Sequence, residues 1–460
     1  MTPRNYSRRS LLRVAGIAGG AVVAGSASTR VLGRPLVGGN RGTISAYQEL
    51  PEAELTFYFG ANPVEAETRQ KVIDKFNEKF PQIKINPVVA GPDPVQELQT
   101  QFAGGSGPDI MMAWELTYAG LADREIFADL QTFIDGDAEY QDVVANDHTP
   151  ELLDMFRYKD AQYVLPEQFT DVVLYYNKAH FEEAGITPPP ADWTDSSWNW
   201  DKFLETATAL TKKSGGRVQQ FGFVDAWWPS LSSMVIGTGN GGNWFDRYVN
   251  PTAATVTDPK IMEALQWYAD LMNVHNVAPN AEQSQTQGGI DVFLAGRASM
   301  TLVGHWMYPA MAQLHADGKL DFDIGVLPVG PGGTTAKTDL GGTGLSVSAK
   351  TSNQQQAWEF VKYSTGPEGQ TVIAESGLFV PVLKSVGQSD SFINAHADVE
   401  NATVFTNGLQ NAVQLPISSK WAELAAAWDR ETVKVLQGQA QAADVYPPLE
   451  EEMNKILASE

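Results

Sequence analysis

From Leu55 onward the chain repeats one arrangement: a short apolar run, a turn, then a stretch with apolar residues at helical spacing. Leu55-Thr56-Phe57-Tyr58-Phe59 predicts a strand ended by Gly60, and Val72, Phe76 and Phe80 predict a helix that Pro81 closes. Ile83-Lys84-Ile85 with Pro87-Val88-Val89 predicts a second strand, and Pro108-Asp109-Ile110-Met111-Met112 a third, after the turn Gly104-Gly105-Ser106-Gly107. Alternation of this kind points to an α/β fold, because each strand face and each helix stripe buries its apolar side against the other. Further on, Asp258-Pro259 reads as an N-cap with proline in the first turn, and Ile261, Leu265, Tyr268 and Met272 supply the apolar stripe behind it. No internal repeat interrupts the pattern, and only Gly-rich turns are low in complexity.

Composition narrows the class. At 460 residues the chain has room for two domains with separate cores, and 43% apolar with 19% charged residues describes a globular chain. Past the N-terminal region no apolar run reaches the roughly 20 residues of a membrane span. The net charge of −23 repels phosphate backbones and anionic membranes, which argues against nucleic-acid binding. The lack of cysteine excludes disulfides, thiolate catalysis and Cys-ligated zinc, and with them the cysteine that a lipid anchor requires.

Residues 1–46 read as an address and linker. They hold seven Arg and no Lys, Asp or Glu. Ser7-Arg8-Arg9-Ser10-Leu11-Leu12-Arg13 precedes a mildly apolar Gly/Ala-rich stretch from Val14 to Ala27. The segment resembles a twin-arginine export signal with Arg8 and Arg9 as the pair, although Leu11 stands where that signal usually has Phe. Small residues at Ser26, Ala27 and Ser28 offer several cleavage positions, and removal or retention of the signal stays open. The resemblance implies an exported protein, periplasmic or extracellular, without a lipid tether.

Four motif blocks then occur in order. The first is Gly107-Pro108-Asp109-Ile110 with Ala113-Trp114, Ala119-Gly120-Leu121 and Phe127-Ala128-Asp129-Leu130. The second runs from Tyr163-Val164-Leu165-Pro166 through Leu174-Tyr175-Tyr176-Asn177-Lys178 to Phe181-Glu182-Glu183-Ala184-Gly185 and Pro188-Pro189. The third is Phe293-Leu294-Ala295-Gly296-Arg297-Ala298-Ser299-Met300, leading to Gly304-His305-Trp306. The fourth is Ala357-Trp358-Glu359-Phe360-Val361, with Gly366-Pro367-Glu368 and Gly377 to Pro381. In order and spacing, about residues 50–458 resemble the extracellular solute-binding proteins of ABC transporters, in the group containing maltose-binding protein. The Trp-rich stretch 193–200 departs from the usual single Thr-Trp and reads as an insertion.

The resemblance implies a two-lobe periplasmic-binding-protein type II fold, each lobe a mostly parallel sheet flanked by helices, joined by three chain crossings. It implies an N-terminal lobe of 47–167 plus 345–382 and a C-terminal lobe of 171–341 plus 388–460. The crossings fall near Glu167–Asp171, near Gly341–Leu345 and near Val382–Gln388. Gly341, Gly342 and Gly344 read either as hinge residues, since glycine absorbs backbone change, or as a plain turn.

By the same resemblance the ligand is a carbohydrate held between the lobes, and the partners are the permease subunits of an ABC transporter. A monomer is expected, with no cofactor, no metal and no catalysis. Sugar rings present C–H faces that stack on aromatic side chains, and hydroxyls that bond to planar polar groups. The candidate contacts are therefore Trp114, Glu115, Glu167, Gln168, Asp171, Asp225, Trp227, Trp228, Trp306, Tyr308 and Trp421. For each Trp the competing reading is core packing. His305 reads more readily as structural than as a ligand donor.

Enzyme readings find little to hold. The six His show no metal-ligand spacing, and neither a nucleophile elbow nor a P-loop occurs. Gly237-Thr238-Gly239-Asn240-Gly241-Gly242 imitates a dinucleotide loop without the strand and helix such a loop needs. An exported glycan hydrolase stays open, since two carboxylates across a cleft suffice for it. Two other ligands also stay open: a polyamine, suited to Glu115, Glu167, Asp171 and Asp225, and a glycerol phosphate ester, which would want Arg or Lys in the cleft.

Overall fold

The structure is a computed structural model that describes residues 50–280, 283 and 288–459, so Arg8, Arg9 and the whole segment 1–46 lie outside the described residues. One unit, Glu49–Glu460, holds both major sheets. In chain order the strands are β1 (Ala53–Phe59), β2 (Ile83–Val89), β3 (Ile110–Trp114), β4 (Arg157–Tyr158), β5 (Ala161–Gln162), β6 (Leu165–Thr170) and β7 (Val172–Asn177). They continue as β8 (Lys212–Ser214), β9 (Arg217–Asp225), β10 (Ala298–Gly304), β11 (Phe322–Gly325), β12 (Thr338–Val347) and β13 (Ala412–Gln414). β4 and β5 form a small hairpin of their own.

The first sheet has the order β13-β12-β3-β1-β2, with β6 on β12; the second has the order β11-β7-β10-β9-β8. The expected α/β class and two-lobe layout hold, and the first sheet is mostly parallel as expected, whereas the second is mostly antiparallel. In the first sheet β1–β2, β1–β3 and β12–β13 are parallel while β12 runs antiparallel to β3 and β6. In the second only β9–β10 is parallel.

Local rules explain the elements. Asn62 caps the Pro63–Lys79 helix, with Glu65 completing a capping box, and Val72, Ile73 and Phe76 turn inward. Phe76 meets Phe360 edge-on at 5.1 Å, and Phe360 meets Phe57 of β1 at 5.2 Å, which fixes this helix and the Gln354–Thr365 helix on the first sheet. β2 runs straight through Pro87, which an edge strand permits because the missing N–H breaks no inner ladder. As the sequence predicts, Asp258 caps the Pro259–Asn273 helix, and Ile261, Leu265 and Tyr268 are buried. Among the described residues no helix is long and apolar enough to cross a membrane.

The Trp-rich stretch 193–200 packs into the core. Asp192 and Asp195 fold it into two side-chain-closed turns, each accepting from the residue two positions on. The Trp193 and Trp198 indoles are buried and donate to Val404 O at 3.3 Å and Val326 O at 2.9 Å. Trp200 opens the next helix and stacks on Trp267 with centroids 4.4 Å apart.

The first crossing is a single residue, Asp171, between β6 of one sheet and β7 of the other. The second lies earlier than expected. β11 ends at Gly325 and β12 begins at Thr338, so the chain changes sheets within 326–337. Gly341, Gly342 and Gly344 instead lie inside β12 and are buried. None has a positive φ. A Cβ on Gly342 would stand 2.4 Å from Gln168 O, and one on Gly344 2.3 Å from Leu165 O. What these positions require is close approach of β6, and neither a turn nor unusual backbone freedom. From the C-terminal stretch, β13 returns to extend the first sheet along Thr338–Leu340 of β12.

Candidate functional site

The parallel strands β9 and β10 end at one edge of the second sheet, with Asp225 paired to Leu302, and β7 begins there, with Val172 opposite Gly304. In the first sheet β3 ends at Trp114 and β6 ends at Thr170, one residue before Asp171. The two edges therefore meet at the first crossing, and strand ends of this kind are where open α/β sheets place ligands.

From the second sheet come Trp227 and Trp228, after β9, and Trp306, after β10. Trp227 and Trp306 are half-buried, and Trp228 is 38% exposed. Asp225 holds the Trp227 backbone: its Oδ1 accepts the Trp227 N–H at 2.7 Å, and its Oδ2 accepts from the Tyr268 hydroxyl. Burial raises its pKa against these bonds. Asp225 therefore braces the Trp227 backbone at the end of β9. Trp228 Nε1 donates to Asp429 Oδ1 at 3.2 Å.

From the first sheet, Trp114 lies half-buried over Gly60, where a Cβ would stand 2.7 Å from its Cζ2. Glu115 follows it, half-buried, with its pKa pushed up to about 8 by burial and by the neighbouring Asp339, against the Gly342 N–H. Asp339, raised to about 7 by burial, accepts the Val172 N–H at 2.9 Å and so ties the start of β7 to β12. The sequence reading missed Asp339, because a polar residue before a Gly pair gives no sign of bracing another strand.

The remaining candidates are interior. Glu167 is ion-paired with Arg69 of the Pro63–Lys79 helix, both side chains nearly fully buried. Its Oε2 is therefore engaged by a cation. Asp171 is fully buried, with both carboxylate oxygens lacking a hydrogen-bond partner among the described residues. Burial first, and Asp339 second, raise its pKa well above the usual carboxylate range. Its carbonyl accepts the His305 N–H at 3.2 Å, which holds the segment carrying Trp306 against the crossing. Gln168 is buried. Tyr308 and Trp421 belong to the core: the Tyr308 hydroxyl donates to Ala395 O at 3.2 Å, and Trp421 meets Trp428 edge-on. His305 is structural, hydrogen-bonded to His396. Among the described residues no three His, Asp or Glu side chains group to hold a metal ion.

Two sheets that meet at a crossing, with aromatic residues projecting from both edges, define a two-lobe binding protein. The chain belongs to the bacterial extracellular solute-binding protein family, which it matches over residues 60–371. It is 24% identical to the multiple sugar-binding protein of Streptococcus mutans, over 67% of this chain and 70% of that one. It is 22% identical to the diacetylchitobiose binding protein DasA of Streptomyces coelicolor, over 87% and 86%. Among solved structures, the Listeria monocytogenes ABC substrate-binding protein in complex with cycloalternan superposes with a TM-score of 0.78 at 24% identity, covering 89% of this chain and 100% of that one. These neighbours share the two-lobe fold.

Proposed function

We propose that this chain is the exported carbohydrate-capturing component of an ABC importer, closing its two lobes on a sugar and presenting it to the permease. The observation that carries this reading is the set of half-buried or exposed indoles, Trp114 from one sheet edge and Trp227, Trp228 and Trp306 from the other, around one crossing. Such rings offer apolar area to sugar C–H faces from both sides of a cleft. The names of the relatives, sugar and oligosaccharide binders from several bacteria, support it. The lobes are taken to part at Asp171 and within 326–337.

A hydrolase reading loses support from the Arg69–Glu167 pair, which engages one of the few carboxylates near the crossing. Export through Arg8 and Arg9 is part of the proposal. Replacing both with Lys should trap the precursor in the cytoplasm, and normal secretion of that variant would refute the twin-arginine assignment.

The test compares Trp306→Ala with wild type in calorimetric titration and denaturant unfolding. A ligand found by thermal shift at about 100 times its Kd adds roughly 2.7 kcal/mol of stability. Trp306→Ala should then weaken binding by about 2–4 kcal/mol, roughly 30- to 700-fold. Unchanged affinity with lowered stability would make Trp306 a packing residue and remove the main support. Turnover of the sugar by the wild type would overturn the reading altogether.

A further inference from the structure

The Trp-rich stretch that departs from the usual pattern lies along the second crossing. Residues 326–337 belong to no helix or strand, and a glycine-containing chain of that length would by itself be slack. It is instead tied at successive points. The Val326 N–H donates to Pro190 O at 2.9 Å, and its carbonyl accepts from the Trp198 indole at 2.9 Å. The Val329 N–H donates to Trp198 O at 2.9 Å, and its carbonyl accepts the Trp200 N–H at 3.2 Å, so the two segments run parallel through Asn199 and Val329. The N–H of Ala336, just ahead of β12, donates to Trp193 O at 2.9 Å.

These partners are anchored in the second lobe. Trp200 opens the Trp200–Leu210 helix, whose Phe203 meets Phe223 of β9 edge-on at 5.3 Å. A second anchor holds the middle of the crossing. Asn240 is buried, its Oδ1 accepts the Gly332 N–H at 2.8 Å, and its Nδ2 donates to Lys260 O at 3.0 Å in the Pro259–Asn273 helix. A Cβ on Gly333 would meet Gly239 O, so glycine there lets the crossing lie against the end of the Pro229–Gly239 helix.

The last tie falls at Ala336 and β12 begins at Thr338, which leaves Lys337 as the passage between lobes. The first crossing lies beside it. The Val172 N–H donates to Thr338 Oγ1 at 3.0 Å, and the Thr338 hydroxyl donates to Val172 O at 2.8 Å. Asp171 and Lys337 therefore stand side by side, each a single residue between a segment held in one lobe and a segment held in the other.

We propose that the Trp-rich stretch is a splint: it makes residues 326–336 part of the second lobe and confines the motion of the second crossing to Lys337, beside Asp171. Trp193 and Trp198 are then positioning residues that act on lobe closure through the crossing. The inference rests on the closure reading above.

Hydrogen exchange resolved by residue tests it, first without ligand and then with neutral mono- to tetrasaccharides, maltotriose and mannobiose among them. Without ligand, protection at the Val326, Val329 and Ala336 amides should lie within about tenfold of that at Phe223, a core amide of the same lobe, and saturating sugar should leave the ratio unchanged. Weaker protection, or a gain relative to Phe223 on closure, would make the crossing a free linker and overturn the splint. Trp198→Phe keeps an aromatic ring and removes the indole donor. It should lower protection at Val329 and Ala336 by about tenfold or more while Phe223 holds. An equal fall at all three, or no change, would make Trp198 ordinary packing and overturn the splint. Should that variant fail to fold, two glycines inserted after the exposed Thr334, between tied residues, are compared with two inserted after Lys337. Sugar affinity should stay within about threefold of wild type in the first and fall about tenfold or more in the second, and equal effects overturn the splint. A wild type that binds no sugar in the panel removes the carbohydrate reading, while the protection measured without ligand still decides the splint.

Discussion

His305 and His396 face each other through their Nε2 atoms at 2.7 Å, inside a cage of Tyr308, Phe392 and Phe405. The geometry dictates both tautomers. His396 Nδ1 lies 2.8 Å from Phe392 O, which can only accept, so the proton sits on Nδ1 and Nε2 is left to accept. His305 therefore donates from Nε2. The pair joins the segment carrying Trp306 to the Asp390–Ala395 helix, and it does so with both rings neutral.

Acid should loosen this junction. Burial lowers the His396 pKa to about 4 and that of His305 well below its usual value. An unfolded His titrates near 6.5. The unfolded chain therefore binds more protons, and stability from the pair is full above about pH 6.5 and falls as the pH drops toward 4. His396 alone accounts for about 3 kcal/mol. His148, also lowered to about 4, acts in the same window, whereas Asp339 and Glu115, raised by burial, act in the opposite direction. The difference between wild type and His396→Asn isolates the pair. Denaturant unfolding at intervals from pH 7 to 4 should give a shallower loss for the variant, and identical slopes would refute the linkage.

Arg69 and Glu167 should behave as a unit. Arg69 also donates to Met112 Sδ at 3.0 Å and lies over the Phe59 ring, so its removal strands Glu167 in an apolar surround. Arg69→Met should cost about 3–5 kcal/mol. The double variant Arg69→Met, Glu167→Leu should regain most of that, because two apolar side chains need no compensation. Unfolding of the two single variants and the double closes the cycle, and simple additivity would show that the ions act separately.

Two glycine substitutions separate close approach from hinge freedom. An alanine Cβ at Gly344 would also stand 2.6 Å from Val164 Cγ1, so Gly344→Ala should lower stability by about 2 kcal/mol or more. Gly387, at the expected third crossing, has nothing within 4 Å of an added Cβ and a negative φ, so Gly387→Ala should be neutral or slightly stabilising. Equal stability of the two variants would restore the hinge reading of Gly344.

Much of the fold was legible because it rests on local rules. The Asn62 cap, the Phe76 stripe and the Asp258-Pro259 start are each dictated within a few residues. Strand direction was not, since nothing near Thr338 tells β12 that β3 and β6 lie antiparallel beside it. The site divided along the same line. Trp227, Trp228 and Trp306 stand just past strand ends and stay at least partly accessible. Glu167 and Tyr308 sit equally close in sequence to those ends, but a bulge turns one to Arg69 and helical spacing turns the other into the core. The place of Thr343 between Trp114 and Gln168 was illegible because those partners lie over 220 residues from it in one case and over 170 in the other.

β12 also governs how the chain comes to be folded. Residues 338–347 complete pairing for β3 near position 110 and β6 near 165, and β13 near 412 then pairs with β12. Closing such distant contacts costs chain entropy before any sheet is gained, which slows assembly. Throughout synthesis of the first 337 residues, β3 keeps one apolar edge unpaired and β6 has no ladder at all, an arrangement prone to association between chains. A fragment ending before Thr338 lacks the strand that makes the first sheet continuous.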